Sequence, residues 1–189
     1  MTRRSRQLAL HISLLLLLVS LAYSLGGIAS RNETVKIVVS EFGYPGIVLL
    51  SIVSGFNVLV PVPVISFLPL FLESGLAFWF TIISIAMGLT MGDLLGYLIG
   101  LTGRKIFTLQ ERQQQTVRYL EELTEKYRYA PMILLFLFAS FVPFPNETLV
   151  IPLAFLGFKL RHLLPVLIVG HLIFNTLAGL TASALFYTF

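Results

Sequence analysis

The chain has no cysteine. Disulfides, thiol catalysis and cysteine-based metal sites are therefore excluded. Charge is also scarce. Only 12% of the 189 residues are charged, against about a quarter in a typical soluble domain. The three histidines, His11, His162 and His171, lack ligand-like spacing from one another. No GxxxxGK[ST], HExxH or GxSxG is present, and no nucleophile–base set stands out. The sequence thus points away from an enzyme, and no cofactor or metal is expected. The length leaves no room for a soluble catalytic domain beside a membrane domain.

What the chain does have is apolar surface. It is 57% hydrophobic, with a mean hydropathy of +0.90. Such a surface calls for a lipid solvent. The formal net charge is +4, but the basic residues form no single patch. They read as membrane topology and give no support for a nucleic-acid partner.

Arg3, Arg4 and Arg6 precede an apolar run from Leu8 to about Ala22. This is the pattern of a signal peptide or a retained signal-anchor, so an N-terminal transmembrane helix is expected over 1–26. Residues 27–42 read as an external polar segment. Thirty apolar residues follow from Gly43 to Leu72, interrupted by Pro61, Pro63 and Pro69. At about 1.5 Å per residue they exceed a ~30 Å hydrocarbon core, and proline breaks a helix. A broken hairpin over 43–75 fits better than one straight span. Residues 76–101 form a continuous span. Residues 103–130 hold most of the charge, with apolar residues at helical spacing, and read as a cytoplasmic amphipathic segment. A second proline-rich hairpin is expected over 131–157, with breaks at Pro143, Pro145, Asn146 and Pro152. A last helix spans 160–188.

The two hairpins align. VPVPVISFLPL from Val60 matches VPFPNETLVIPL from Val142 with one residue inserted. An offset of 82 carries Pro61 to Pro143, Pro63 to Pro145, Gly75 to Gly157, Gly88 to Gly170 and Asp93 to Asn175. With the N-terminus cytoplasmic and each hairpin returning to its own side, only Arg31 and Lys36 of the thirteen Lys and Arg lie outside. That distribution obeys the positive-inside rule. The fold expected is an all-α membrane protein. It is an inverted repeat of two re-entrant, proline-broken hairpins, each followed by a transmembrane helix, plus an N-terminal helix.

At these residues the chain resembles the DedA family of the wider VTT-domain (SNARE-associated) membrane proteins. The resemblance covers Gly55 to about Leu180. It is carried by the proline hairpins, by GLTMGDLLGYLIGLTGRK and by GHLIFNTLAG. The family pattern falls on Gly88, Gly92, Asp93, Tyr97, Gly100 and Asn175. The resemblance implies two facing hairpins and the movement of lipids such as phospholipids or polyprenyl phosphates.

Asp93 is the leading site residue, since a charge deep in a span costs about 2.5–3.5 kcal/mol or more and usually faces a cavity or partner. Glu147 sits at the second break, where it could line a cavity or cap a half-helix beside Asn146. His171 and Asn175, four residues apart, share one helix face and could join Asp93 in a polar path. Gly88, Gly92, Gly96 and Gly100 form a four-residue ladder that marks helix packing, against Ala178 and Ala182 or a half-helix. The function expected is a membrane lipid transporter, a flippase or scramblase, gated by protonation of Asp93 or Glu147. Its partners are then membrane lipids and protons, and a homodimer stays open. The location expected is the plasma or inner membrane. The rival readings are a proton-coupled exporter of small solutes and a non-catalytic membrane scaffold.

Overall fold

The computed structural model describes residues 24, 28, 31–55, 63–106, 111–127 and 129–188. The expected N-terminal helix falls almost wholly outside these residues, and so does Pro61. Among the described residues every regular element is helical. In order they are α1 (Glu33–Gly55), a 3-10 turn (Val64–Phe67), α2 (Leu68–Glu73), α3 (Phe78–Ile106), α4 (Glu111–Lys126), α5 (Ala130–Phe141), α6 (Glu147–Phe155) and α7 (Leu160–Thr188). Among the described residues three stretches are long and apolar enough to cross a membrane: Glu33–Gly55, Phe78–Gly103 and Leu160–Thr181.

Two expected boundaries need correction. Residues 33–42, read from sequence as part of a polar segment, are helical. Asn32 explains the start: its Oδ1 accepts hydrogen bonds from the N–H groups of Thr34 (3.0 Å) and Val35 (3.3 Å). Glu33 then sits in the first turn, where an acid suits the helix dipole. The helix kinks at Gly43 (φ 53°, ψ −147°), two residues before Pro45. Beyond the kink the apolar arm from Tyr44 to Gly55 is short, about 18 Å at 1.5 Å per residue. The second correction concerns 103–106, assigned from sequence to the amphipathic segment. These residues extend α3, because Gly103 alone does not stop a helix.

The second half breaks cleanly. α5 has 12 residues and α6 has nine. Neither alone matches a ~30 Å core. Between them Val142 is extended and Pro143 and Pro145 withhold backbone donors.

Equivalent backbone features recur 82 residues apart. α2 closes with hydrogen bonds from Ser74 N–H to Leu70, Gly75 N–H to Leu72 and Leu76 N–H to Phe71. α6 closes with Leu156 to Pro152, Gly157 to Ala154 and Phe158 to Leu153. Each is a Schellman closure, which needs a left-handed residue at its glycine. Gly75 (φ 88°) and Gly157 (φ 87°) supply it. The helices that follow, α3 and α7, have 29 residues each. A tyrosine hydroxyl also caps each entry. Tyr44 Oη accepts from Ala77 N–H at 3.0 Å. Tyr97 Oη accepts from Leu160 N–H at 3.1 Å and donates to the Phe158 carbonyl at 3.0 Å.

Packing forms two apolar clusters. One gathers Ile47, Val64, Ile65, Leu68, Phe71, Ile82 and Ile85, with Leu172 and Ala178 of α7 against it. The other gathers Leu120, Leu135, Ala139, Leu149, Val150, Leu153, Leu163 and Leu167, with Tyr97 of α3 inside it. Each long helix thus begins in one cluster and ends in the other.

The glycine ladder splits between two partners. A methyl at Gly92 would lie 2.6 Å from the Gly55 carbonyl carbon and 3.0 Å from the Ile52 carbonyl oxygen of α1. A methyl at Gly100 would lie 2.5 Å from the Ile151 carbonyl oxygen of α6. Gly88 faces α1, and Gly96 faces the Glu147 stem of α6. Ala178 is not among the nearest contacts of any ladder glycine. A step of four residues overshoots a 3.6-residue turn by about 40°, so three steps swing the row by about 120°. One stripe therefore serves two neighbours. Gly92→Ala is expected to lower stability by about 1–3 kcal/mol, since backbone rather than side chain must move. Gly103→Ala, with open space at its Cβ, is expected to be neutral or slightly stabilising. Thermal unfolding of both variants in detergent checks the contrast, and equal losses would contradict it.

Candidate functional site

The apolar helices bury a compact polar cluster. Asp93 lies mid-way along α3 and is 2% exposed, while Asn175 of α7 is 1% exposed. His171, also buried, stands one turn before Asn175. Its Nε2 is 2.8 Å from Asp93 Oδ2. Asn146, at the second break, directs its Nδ2 toward Asp93 Oδ2 at 3.4 Å and toward His171 Nε2 at 3.3 Å. Asn175 Nδ2 donates to the His171 carbonyl at 2.8 Å, which ties the site to the backbone of α7.

The 2.8 Å contact requires a proton on its line, because carboxylate oxygen and bare imidazole nitrogen are both acceptors. The site is a small polar cluster inside an apolar body. Asn146 Nδ2 lies within reach of both members. A carboxylate so deeply placed needs partners of this kind.

The cluster faces a cavity of about 270 Å³. Both proline-containing segments contribute to its wall. Ser54, Gly55 and Pro63–Ser66 come from the first half, and Ala139 and Val142–Asn146 come from the second. Leu89 and Asp93 of α3 and His171, Phe174, Asn175 and Ala178 of α7 complete it. The 82-residue equivalents Asp93 and Asn175 therefore meet at one cavity. Part of the rim is apolar and exposed: Phe144 is 55% exposed, and Val142 beside it is partly so.

Of the residues singled out from sequence, Asp93, His171 and Asn175 come together as a group. Glu147 is buried but does not line the cavity. Its stem packs on Gly96, so it belongs to the α3–α6 contact. Asn146 was expected as a break or cap residue, and its side chain makes no cap hydrogen bond. It turns into the cluster instead. Pro63, Pro143 and Pro145 line the cavity, while Pro69 and Pro152 lie within α2 and α6. Ser54 and Ser66 were missed. Serine in an apolar run is a weak signal, although Ser66 is an isolated hydroxyl in the otherwise apolar first tip.

No family model, curated protein or solved structure matches the chain. Among the described residues the fold and site define a class: helical throughout its regular elements, with three helices fit by length and composition to cross a membrane and a buried acid–imidazole–amide cluster. Such a chain suits a multi-pass, membrane-embedded protein.

The hydrogen-bonded trio should behave as a unit. A double-mutant cycle of Asp93→Asn and His171→Gln is expected to give a coupling of about 1–3 kcal/mol. Additive losses in detergent unfolding would mean that the pair does not interact in the folded protein.

Proposed function

We propose that the protein moves amphipathic lipids across the membrane, as a divergent member of the DedA/VTT type. One observation carries this reading: a buried polar cluster sits in a cavity whose rim holds the exposed apolar side chains of Val142 and Phe144. A headgroup would enter toward Asp93, His171, Asn146 and Asn175 while its tails stay against the rim and in lipid. A soluble-solute exporter would need that rim sealed, so the lipid reading is preferred. No chemical step on the cargo is involved. The proton between Asp93 and His171 offers a means of coupling transport to proton movement.

In this proposal the two hairpins are re-entrant and inverted, and their tips meet at the cavity. The short arms Tyr44–Gly55, α5 and α6 support it, as do the matched closures at Gly75 and Gly157. The chain would sit in the plasma or inner membrane with Arg104 to Arg128 cytoplasmic, following the basic residues.

Transbilayer movement of tail-labelled phospholipids in proteoliposomes tests the function. The wild-type protein is expected to accelerate it, and Asp93→Asn to slow it by about tenfold, the rate equivalent of about 1.4 kcal/mol. A folded wild-type protein that moves no lipid would overturn the proposal. The topology has its own check, made simple by the lack of native cysteine. Cysteines at Asn32 and Ser74 are expected to label from one side, and cysteines at Tyr129 and Lys159 from the other. Labelling of the two ends of one hairpin from opposite sides would show that the hairpin crosses.

A further inference from the structure

Among the described residues the cavity wall carries acid and neutral polar groups but no lysine or arginine. Its polar members are Asp93, His171, Asn146, Asn175, Ser54 and Ser66. Between Asp93 and the opposing hairpin tips the sequence offers no compensating cation. The first tip is uncharged from Val58 to Leu72, and the second carries only Glu147 as a charged residue from Met132 to Phe158. Lys36, near the other end of the first hairpin, is engaged with Glu33 at 3.1 Å and Glu73 at 3.5 Å.

We infer that this cavity takes a headgroup bearing an ammonium, and that it discriminates against one ending in a phosphate monoester. The inference rests on the transport reading above and names its substrate class. The two hydrogen bonds to Asp93 both reach Oδ2. This leaves Oδ1, among the described residues, as the acceptor a cargo would meet. An ammonium supplies up to three donors and the opposite charge. It is complementary to the carboxylate of Asp93, which the cavity wall presents. A phosphodiester in the same headgroup carries one negative charge, and neutral groups on the wall such as the Asn175 amide and the Ser66 hydroxyl can donate to its oxygens. A terminal phosphate carries more charge and brings no cation. It would face a carboxylate with no guanidinium or ammonium on the wall, and like charges brought together out of water repel strongly.

The test uses the full chain in proteoliposomes with tail-labelled lipids. The probes are phosphatidylethanolamine, its N-acetylated form, phosphatidylglycerol and a polyprenyl monophosphate. Phosphatidylethanolamine is expected to move at least about tenfold faster than the polyprenyl phosphate, as a like-charge penalty requires. N-acetylation, which removes the charge and keeps the shape, is expected to abolish the advantage. The wild-type series decides the matter even if an Asp93 variant fails to fold. Where Asp93→Asn does fold, it should bring the rates for the amine lipid and its acetylated form together. Equal wild-type rates for all four lipids would overturn the headgroup inference and leave lipid transport standing. Preference for the monophosphate would do the same. Entry of free radiolabelled ethanolamine without lipid movement would support the ammonium chemistry and overturn the lipid reading. Movement of neither would overturn both.

Discussion

A carboxylate in the middle of an apolar helix must find its hydrogen bonds inside the protein, because a lipid solvent offers none. Asp93 finds them on two other segments, His171 on α7 and Asn146 at the break between α5 and α6. This requirement orders much of the structure. The helix α7 must present one face to α3. The segment between α5 and α6 must break where its asparagine can reach the pair. The prolines at 143 and 145 make that break possible without orphaning backbone donors, since proline has none to lose.

The glycine ladder makes the same arrangement sterically feasible. A tip can approach Asp93 only if its helix lies close to the backbone of α3. Gly92 admits Gly55 at the end of α1, and Gly96 and Gly100 admit α6. Gly92 and Asp93 are adjacent, so one part of α3 packs the first arm while the next side chain enters the cavity. Close packing and the polar site are two consequences of one short sequence, GLTMGDLLG. In a membrane such contact also has an energetic role, because helices associate there through van der Waals fit rather than through expulsion of water.

Much of this was legible in the sequence because its signals are covalent or steric. Proline spacing, the 82-residue offset and the glycine row all constrain the backbone directly. The last helix begins at Leu160, and Gly75 and Gly157 occupy matching turns. Less legible was anything decided by side-chain direction. Asn146 can cap a helix or turn inward, and nothing in NET distinguishes the two. Glu147 could line the cavity or cap the half-helix from sequence, and one position further along the helix its stem points at Gly96. A turn of about 100° per residue separates adjacent side chains. The helical start at Glu33 was hidden for another reason. Its cap comes from a single polar residue, Asn32, within a stretch whose charges suggested an external polar segment.

The pseudo-symmetry is also informative where it fails. The offset that pairs Asp93 with Asn175 pairs an acid with its neutral isostere. The same offset sets His171 against Leu89 and, across the inserted residue, the polar second tip against an uncharged first one. A fully symmetric site would hold two carboxylates and two imidazoles facing one another, with like charges crowded in a medium of low dielectric. Retaining the charge on one copy and the amide on the other removes that conflict. The amide still serves: Asn175 holds the backbone of the helix that presents His171. The acid and the imidazole thereby lie on α3 and α7, while Val142 and Phe144 on the cavity wall stay apolar and exposed.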